Sequence, residues 1–213
     1  MPQASRRRAR DPEGGLRVEP AGPLTADALV DFFRHHARGC YCRWWHFEGD
    51  DLSWQGRCSV EPEVNEAEAR AALRRGDSSA RGVVAWYPEV PGIVGWLKVS
   101  PCAAVAKLYR RRLYRTLSCF EGERSGVWTI GCMLVDPAHR RRGVARALVG
   151  RAVELARAHG ASAVEATPRR PRDPVARDHE IWMGPAALFD ELGFERIDDG
   201  PDAYPVYRRS LSA

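Results

Sequence analysis

Long apolar runs are missing from this 213-residue chain: no stretch approaches the roughly 20 residues a membrane-spanning helix needs. The N-terminus also lacks the apolar core of a secretion signal. Residues 1–15 are rich in Arg, Pro and Gly with almost no apolar content, which reads as a disordered basic tail. A cytoplasmic protein without membrane contact follows as the expectation, with its six cysteines as thiols. No Gly-x-Gly-x-x-Gly occurs and no acidic residue follows at the matching offset, which argues against a dinucleotide fold. The excess charge is small, +5, and sits largely in Arg6, Arg7, Arg8, Arg10 and two later clusters. Such a pattern favours solvation over specific nucleic-acid recognition. The Cys40-x-Cys42 spacing is tighter than the usual Cys-x2–4-Cys of zinc sites, and no second pair follows. No metal is therefore expected, even with His35, His36, His46 and Cys58 close by in sequence.

What is present is concentrated between Val127 and Gly160. Trp128 to Val135 is apolar and rich in β-branched and aromatic residues, a buried strand closed by Asp136-Pro137. Val144, Ala147, Leu148, Ala152, Leu155 and Ala156 recur at helical spacing up to His159, and Gly160 stands at the C-cap. Between them lies Arg140-Arg141-Arg142-Gly143-Val144-Ala145. Gly143 and Ala145 leave the backbone open to close approach, and the first free N–H groups of the helix face outward with the positive end of its dipole. With three arginines added, this is a seat for a pyrophosphate.

Around that centre the chain reads as one domain over 16–213. A short strand covers Leu16 to Pro20, and Thr25 caps a helix through Ala37 that stops at Gly39. Gly39 to Cys58 gathers Cys40, Cys42, Trp44, Trp45, Trp54 and Cys58, read as an apolar wall whose tryptophans suit apolar or cationic groups. Asn65-x-x-Glu68 opens a second helix ending near Gly76. Arg81–Tyr87 and Gly92–Ser100 form a hairpin. Cys102 to Ser125 carries helical spacing and is made basic by Lys107, Arg110, Arg111, Arg112 and Arg115, a helical strap over the rim of a site with a solvated face. Ala161–Thr167 is a strand holding Glu165, and Pro168–Met183 reads as a Pro- and Arg-rich wall or lid. Pro185 opens a last helix to Leu192, with short strands around Ile197 and over Tyr204–Tyr207.

The strand, Val135-x-Pro137 and Arg140-x-x-Gly143-x-Ala145 resemble the acyl-CoA-binding core of the GNAT acetyltransferase superfamily, whose signature is [Arg/Gln]-x-x-Gly-x-[Gly/Ala] after its fourth strand. The order of elements from Leu16 to Leu211 resembles the whole fold: α/β (α+β), a mixed, mostly antiparallel sheet splayed at strands 4 and 5 and flanked by helices. More narrowly, the chain is similar to a bacterial branch sharing the early Cys-x-Cys-x-x-Trp and the Val94-Gly95-Trp96 strand.

The resemblance implies acetyl-CoA as acyl donor and direct attack by a primary amine of a small molecule in a ternary complex, in a monomer or homodimer. It places the backbones of Met133, Leu134 and Val135 along the pantetheine arm. Arg140, Arg141, Arg142, Gly143, Val144, Ala145 and Arg146 fall around the pyrophosphate. Phe189 stands where many members carry a proton-donating tyrosine, and Thr129 near the place of a glutamate base; neither residue can do that work. Glu165 is then the leading candidate base, ahead of His46 and His179, and Cys132 a candidate nucleophile. Cys42, Trp44, Trp45 and Trp96 are the acceptor-side wall. The alternatives are an acyl-CoA-binding regulatory module without catalysis, favoured by Phe189 and Thr129, and a protein or peptide N-acetyltransferase, disfavoured by the enclosed tryptophan wall.

Overall fold

The computed structural model describes residues 15–170, 182–199 and 204–211. The basic tail, save Gly15, lies outside the described residues, as do most of the Pro-rich 168–183 stretch and His179.

Seven strands form one sheet: β1 (Arg17–Pro20), β2 (Gly82–Trp86), β3 (Gly95–Pro101), β4 (Val127–Val135), β5 (Ala163–Ala166), β6 (Glu195–Asp198) and β7 (Val206–Ser210). Their order is β1-β2-β3-β4-β5-β7-β6, and every neighbouring pair is antiparallel except β4–β5. That parallel pair is possible because α5 (Val144–Ala158) supplies the crossover between its strands. Val144, Leu148, Ala152 and Leu155 of α5 pack against Val83, Leu97, Val99 and Ile130 on one face of the sheet. The opposite face is covered by α1 (Ala26–His36) and α3 (Pro62–Arg74), where Leu29, Phe33 and Leu73 meet Val84 and Trp96. Farther along, a strap containing α4 (Ala106–Arg110) buries Val105 and Leu108 against Trp45.

A β-bulge decides which side chains of β4 face which layer. Lys98 pairs with Cys132 and Val99 with Ile130, so Gly131 is the extra residue. Strict alternation would put Cys132 on the same face as Ile130. The inserted residue moves Cys132 to the α1 face, beside Cys42 and Trp96, while Met133 returns to the α5 face. The carbonyl of Gly131 accepts a hydrogen bond from Trp45 Nε1 at 2.6 Å. A Cβ at Gly131 would stand 3.2 Å from that nitrogen and 3.3 Å from Lys98, so glycine keeps this junction relaxed.

The helices differ from expectation in three places. A helix α2 (Asp51–Val60) exists where none was expected; it buries none of its side chains and so carries no apolar stripe. Its local cue is Asp50, which accepts from the Ser53 N–H at 2.7 Å as an N-cap. Helix α3 starts at Pro62, not Asn65; Asn65 is an interior residue whose amide donates to the Gly39 carbonyl at 2.8 Å. The strap is not one helix: five α-helical residues in α4 are flanked by short 3-10 turns at Cys102–Val105 and Ser118–Phe120. Helix α6 (Ala186–Glu191) follows Pro185 as expected, and β7 runs later than the Tyr204–Tyr207 reading. Among the described residues no helix is long and apolar enough to cross a membrane.

Candidate active site

One cleft of about 1900 Å³ runs from the turn before α5 to the tryptophan segment after α1. At the first end, Gly143 is the N-cap of α5 with φ 82°, a left-handed conformation that glycine adopts without strain. A Cβ there would meet nothing within 4 Å, so the space above the helix terminus is open. Arg140, Arg141, Gly143, Val144, Ala145 and Arg146 all line this end. The first N–H groups of the helix, its dipole and the cationic side chains together fit a pyrophosphate. Arg146 is ion-paired with Glu191 of α6, which closes the cleft's rim. Arg142 departs from expectation: its guanidinium lies 5.0 Å over the Tyr87 ring and does not line the cleft.

Met133, Leu134 and Val135 line the middle, where β4 and β5 part because β5 ends at Ala166, paired with Ile130. A backbone segment of the chain's own fills part of that gap. The Met133 N–H donates to the Trp182 carbonyl at 2.7 Å, and Arg169 bridges to Pro185 in parallel fashion. Phe189 does not reach the cleft. It is wholly buried against Phe194 and Tyr207, while its α6 neighbours Ala187 and Leu188 form the wall.

The far end is aromatic. Trp44, Trp45, Trp54 and Trp182 line it, with Cys40, Cys42, Cys132, Asp51 and Arg111. Trp45 and Trp182 lie 5.4 Å apart, as do Trp44 and Trp54. Lys107 of α4 projects its ammonium 3.6 Å from the Trp44 ring centroid and donates to the Phe47 carbonyl at 2.7 Å. The strap thus fastens the aromatic segment from outside through a cation–π contact. Trp96, expected on this wall, is a core residue instead, edge-on to Phe33 at 5.6 Å.

Glu165 is likewise not brought to the cleft. Val164 and Ala166 face α5, so the intervening Glu165 faces the strap, paired across the sheet with Thr129. There its carboxylate receives Arg124 Nη2 at 2.6 Å, Arg208 Nη2 at 2.6 Å and the Tyr109 hydroxyl at 3.2 Å. Every lone pair that a base would offer is committed. Burial pushes the Tyr109 hydroxyl strongly upward, and the adjacent Glu165 charge adds to the effect. Thr129 is equally buried and does not line the cleft. His46 is also absent from the lining; burial first, then the charges of Lys98 and Arg43, push its imidazole down to about 3.

The cysteine segment holds what the spacing did not reveal. Cys42 and Cys132 are within hydrogen-bonding reach, and Lys98, buried, lies cross-strand from Cys132. The Cys132 hydrogen bond is the largest influence on Cys42, bringing its thiol down to about 6 against the effect of burial, with Lys98, Trp96 and Arg43 acting the same way. Cys132 is pushed up, first by its hydrogen bond to Cys42 and then by burial. Burial pushes Cys40 up to about 12. The signal that could have found this site is a lysine in the middle of an apolar strand: Lys98 needs an anion, and the bulge at Gly131 decides that sulfur supplies it. Among the described residues, no three His, Cys, Asp or Glu side chains converge as metal ligands.

Comparisons with known proteins agree with this architecture. A GCN5-related N-acetyltransferase from Kribbella flavida superposes with a TM-score of 0.53 at 21% identity, covering 92% of this chain and 98% of that one. The yncA protein of Salmonella typhimurium, solved with acetyl-CoA, gives a TM-score of 0.51 at 14% identity, covering 93% and 95%. The PaiA N-acetyltransferase of Thermoplasma acidophilum, solved with coenzyme A, gives 0.51 at 6% identity, covering 92% and 99%. No curated protein matches the sequence. The family model for the acetyltransferase (GNAT) family matches residues 50–184, well over half of the chain, and the chain belongs to that family.

Proposed function

We propose that this protein transfers an acetyl group from acetyl-CoA to a primary amine on a small molecule. The observation that carries the reading is the continuity of the cleft. The Gly143 turn that suits a pyrophosphate and the tryptophan segment that suits an amine-bearing acceptor open into the same space, separated by the exposed backbone of β4. An acyl donor laid along Met133–Val135 would put its thioester between them. Its carbonyl oxygen would take the Met133 N–H from Trp182, gaining a fixed donor for the negative charge that develops on attack. The neighbours solved with coenzyme A and acetyl-CoA support the choice of donor. The acceptor is read as small because Trp45 and Trp182 narrow the far end of the cleft.

Direct attack by the amine in a ternary complex is the simplest route, gaining chiefly from proximity. With Glu165 caged, the carboxylates lining the cleft among the described residues are Asp51 and the Arg146-paired Glu191. The amine would then lose its proton to water or toward Asp51.

Gly143→Asp tests the donor seat. The substitution puts a negative charge at the helix terminus without touching the apolar face of α5. Acetyl-CoA binding by calorimetry should fall at least about tenfold, the effect of losing roughly 1.4 kcal/mol, in a folded variant. Unchanged affinity would refute the seat. The wild-type protein should release CoA with some members of an amine library faster than it hydrolyses acetyl-CoA alone.

A further inference from the structure

We propose that Cys42 is a catalytic residue that takes the acetyl group covalently: its thiolate attacks the thioester of acetyl-CoA, and the acetylated Cys42 then delivers the group to the amine. This inference rests on the acetyl-transfer reading above and replaces direct attack as its route.

Four features converge on this sulfur, and Lys98 and Trp96 line one small buried cavity with it. The first is backbone geometry. Tyr41 and Cys42 have φ of 46° and 57°, left-handed values that non-glycine residues adopt at a cost and that concentrate at functional sites. The second is the bulge at Gly131, which turns Cys132 to the same face and gives Cys42 a hydrogen-bond donor. The third is Lys98, 1% exposed, with its ammonium donating to the Ser79 carbonyl. Burial lowers the Lys98 pKa, and of the anionic partners that counter this and favour its charged form Cys42 acts most strongly, ahead of Cys132 and Asp77. The fourth is the Trp96 indole N–H, buried without a hydrogen-bond partner and placed so that it favours the anionic form of Cys42.

These groups make a seat for a thiolate, and the seat opens on the acyl-CoA cleft. Cys42 lines that cleft together with Cys132 and Met133. The groups facing it are accounted for element by element: Lys98 and Trp96 from β3, Cys132 from β4, Cys40 and Arg43 from its own segment. The α1 and α3 side chains packed around it are apolar, Leu29, Phe33 and Leu73 among them. The hydroxyl of Tyr41 is engaged elsewhere, donating to Glu66 at 2.9 Å. A low thiol pKa beside a cation is the ordinary way a protein activates cysteine.

The step balances without an oxidant or reductant. The Cys42 sulfur forms a bond to the acetyl carbonyl carbon as the bond from that carbon to the CoA sulfur breaks. The negative charge moves from one sulfur to the other, and the CoA thiolate takes a proton from solvent. A neutral amine then attacks the Cys42 thioester, the electron pair returns to the Cys42 sulfur, and the amine proton passes to water. Exchange of one thioester for another keeps the group activated, and no carboxylate base is required for the first half.

The test uses the full chain with acetyl-CoA and no amine, quenched in acid and read by intact mass and peptide mapping. One acetyl group per chain, labile to hydroxylamine, located at Cys42 and discharged by amine is the expected result. The adduct should be absent in Cys42→Ser and should form more slowly in Cys132→Ser. Because either variant could misfold, iodoacetamide labelling of the unaltered protein provides a second readout. Cys42 should label first among the six cysteines, with a pH midpoint near 6, where an ordinary thiol titrates at about 8.5. Calorimetric acetyl-CoA binding and amine turnover with no Cys42 adduct, or full turnover in Cys42→Ser, overturn the covalent route and leave the transferase reading intact. An absence of acetyl-CoA binding removes the transferase reading itself, and this inference with it.

Discussion

Glu165 and Cys42 are both largely buried, 0% and 7% exposed, and both have cations beside them, yet they are built in opposite ways. Around Glu165 the partners outnumber the need. Two guanidinium groups and a hydroxyl take its two oxygens, Arg208 also reaches the Cys119 carbonyl, and nothing of the cage opens on the cleft. Around Cys42 the donors are too few for comfort and the anion faces the cleft. Lys98 keeps one backbone partner, Trp96 none, and the backbone bends left-handed to hold the sulfur in place. A saturated buried ion cluster ties elements together, here β5, β7 and the loop before β4. An undersaturated one that touches solvent through a cleft holds a group in a reactive state.

The largest effect expected from breaking this contrast is on stability. Glu165→Gln leaves Arg124 and Arg208 facing a neutral amide, and breaking a buried pair by removing one partner costs about 3–5 kcal/mol. Denaturant titration should show that loss, while the folded fraction keeps its turnover and its pH profile. A variant of normal stability whose turnover falls roughly a hundredfold would instead make Glu165 a base, and the comparison would collapse.

Removing the cation on the other side should do the reverse. Lys98→Met exchanges a buried ammonium for an apolar chain of similar length, and because the Cys42 sulfur left behind can take a proton, no unpaired charge stays buried. The Cys42 thiol then loses its nearest full charge and rises. From a starting value of about 6, the first unit of rise lowers the thiolate fraction at pH 7 only about twofold and a second about fivefold more, so iodoacetamide labelling of Cys42 at pH 7 should slow by at least about twofold with little change in melting temperature. Unaltered labelling would mean that Cys132 and Trp96 alone hold the thiolate, and Lys98 would be reduced to a structural contact.

How much of this was legible in the sequence follows from where each signal resides. The sheet, α5 and the Gly143 turn were readable because their determinants are local: a β-branched run, a helical apolar stripe, a glycine at a helix start. Helix α2 was missed because it buries no face and so has no periodicity. The faces of Glu165 and Cys132 were not readable at all. Alternation gives two choices for Glu165, and the choice depends on Arg124 and Arg208, which are distant in sequence. For Cys132 the alternation itself is reset by the bulge, and the visible trace is one glycine, Gly131, among large apolar residues. Arg142, Phe189 and Trp96 fell on positions whose sequence context suits a site, and tertiary packing against Tyr87, Phe194 and Phe33 claimed them.

The smallest effect concerns His46, which reports the same positive field from a place outside the cleft. Burial, then Lys98 and Arg43, lower its pKa from 6.5 to about 3 in the folded chain. The unfolded chain therefore binds one more proton than the folded chain across that window. Stability contributed by this site is complete above about pH 6.5 and is lost as the pH falls toward 3, at no more than about 1.4 kcal/mol per pH unit. The carboxylates with lowered values, Asp77 and Asp136 among them, add their own acid sensitivity below their ordinary values near 3.8. The His46 share is consequently clearest between pH 5 and 6.5, where those groups are still ionised in both states. His46→Asn should flatten the dependence of stability on pH in that interval and leave it unchanged above 7. Lys98→Met should make that acid slope end at a higher pH in the unaltered His46 background, because the ammonium that steadies the Cys42 anion is one of the charges that keep His46 neutral. If the two readouts fail to move together, with Cys42 labelling slowed but the acid slope untouched, Lys98 acts on the cysteine through contact and not through a field shared across the α1–α2 connection.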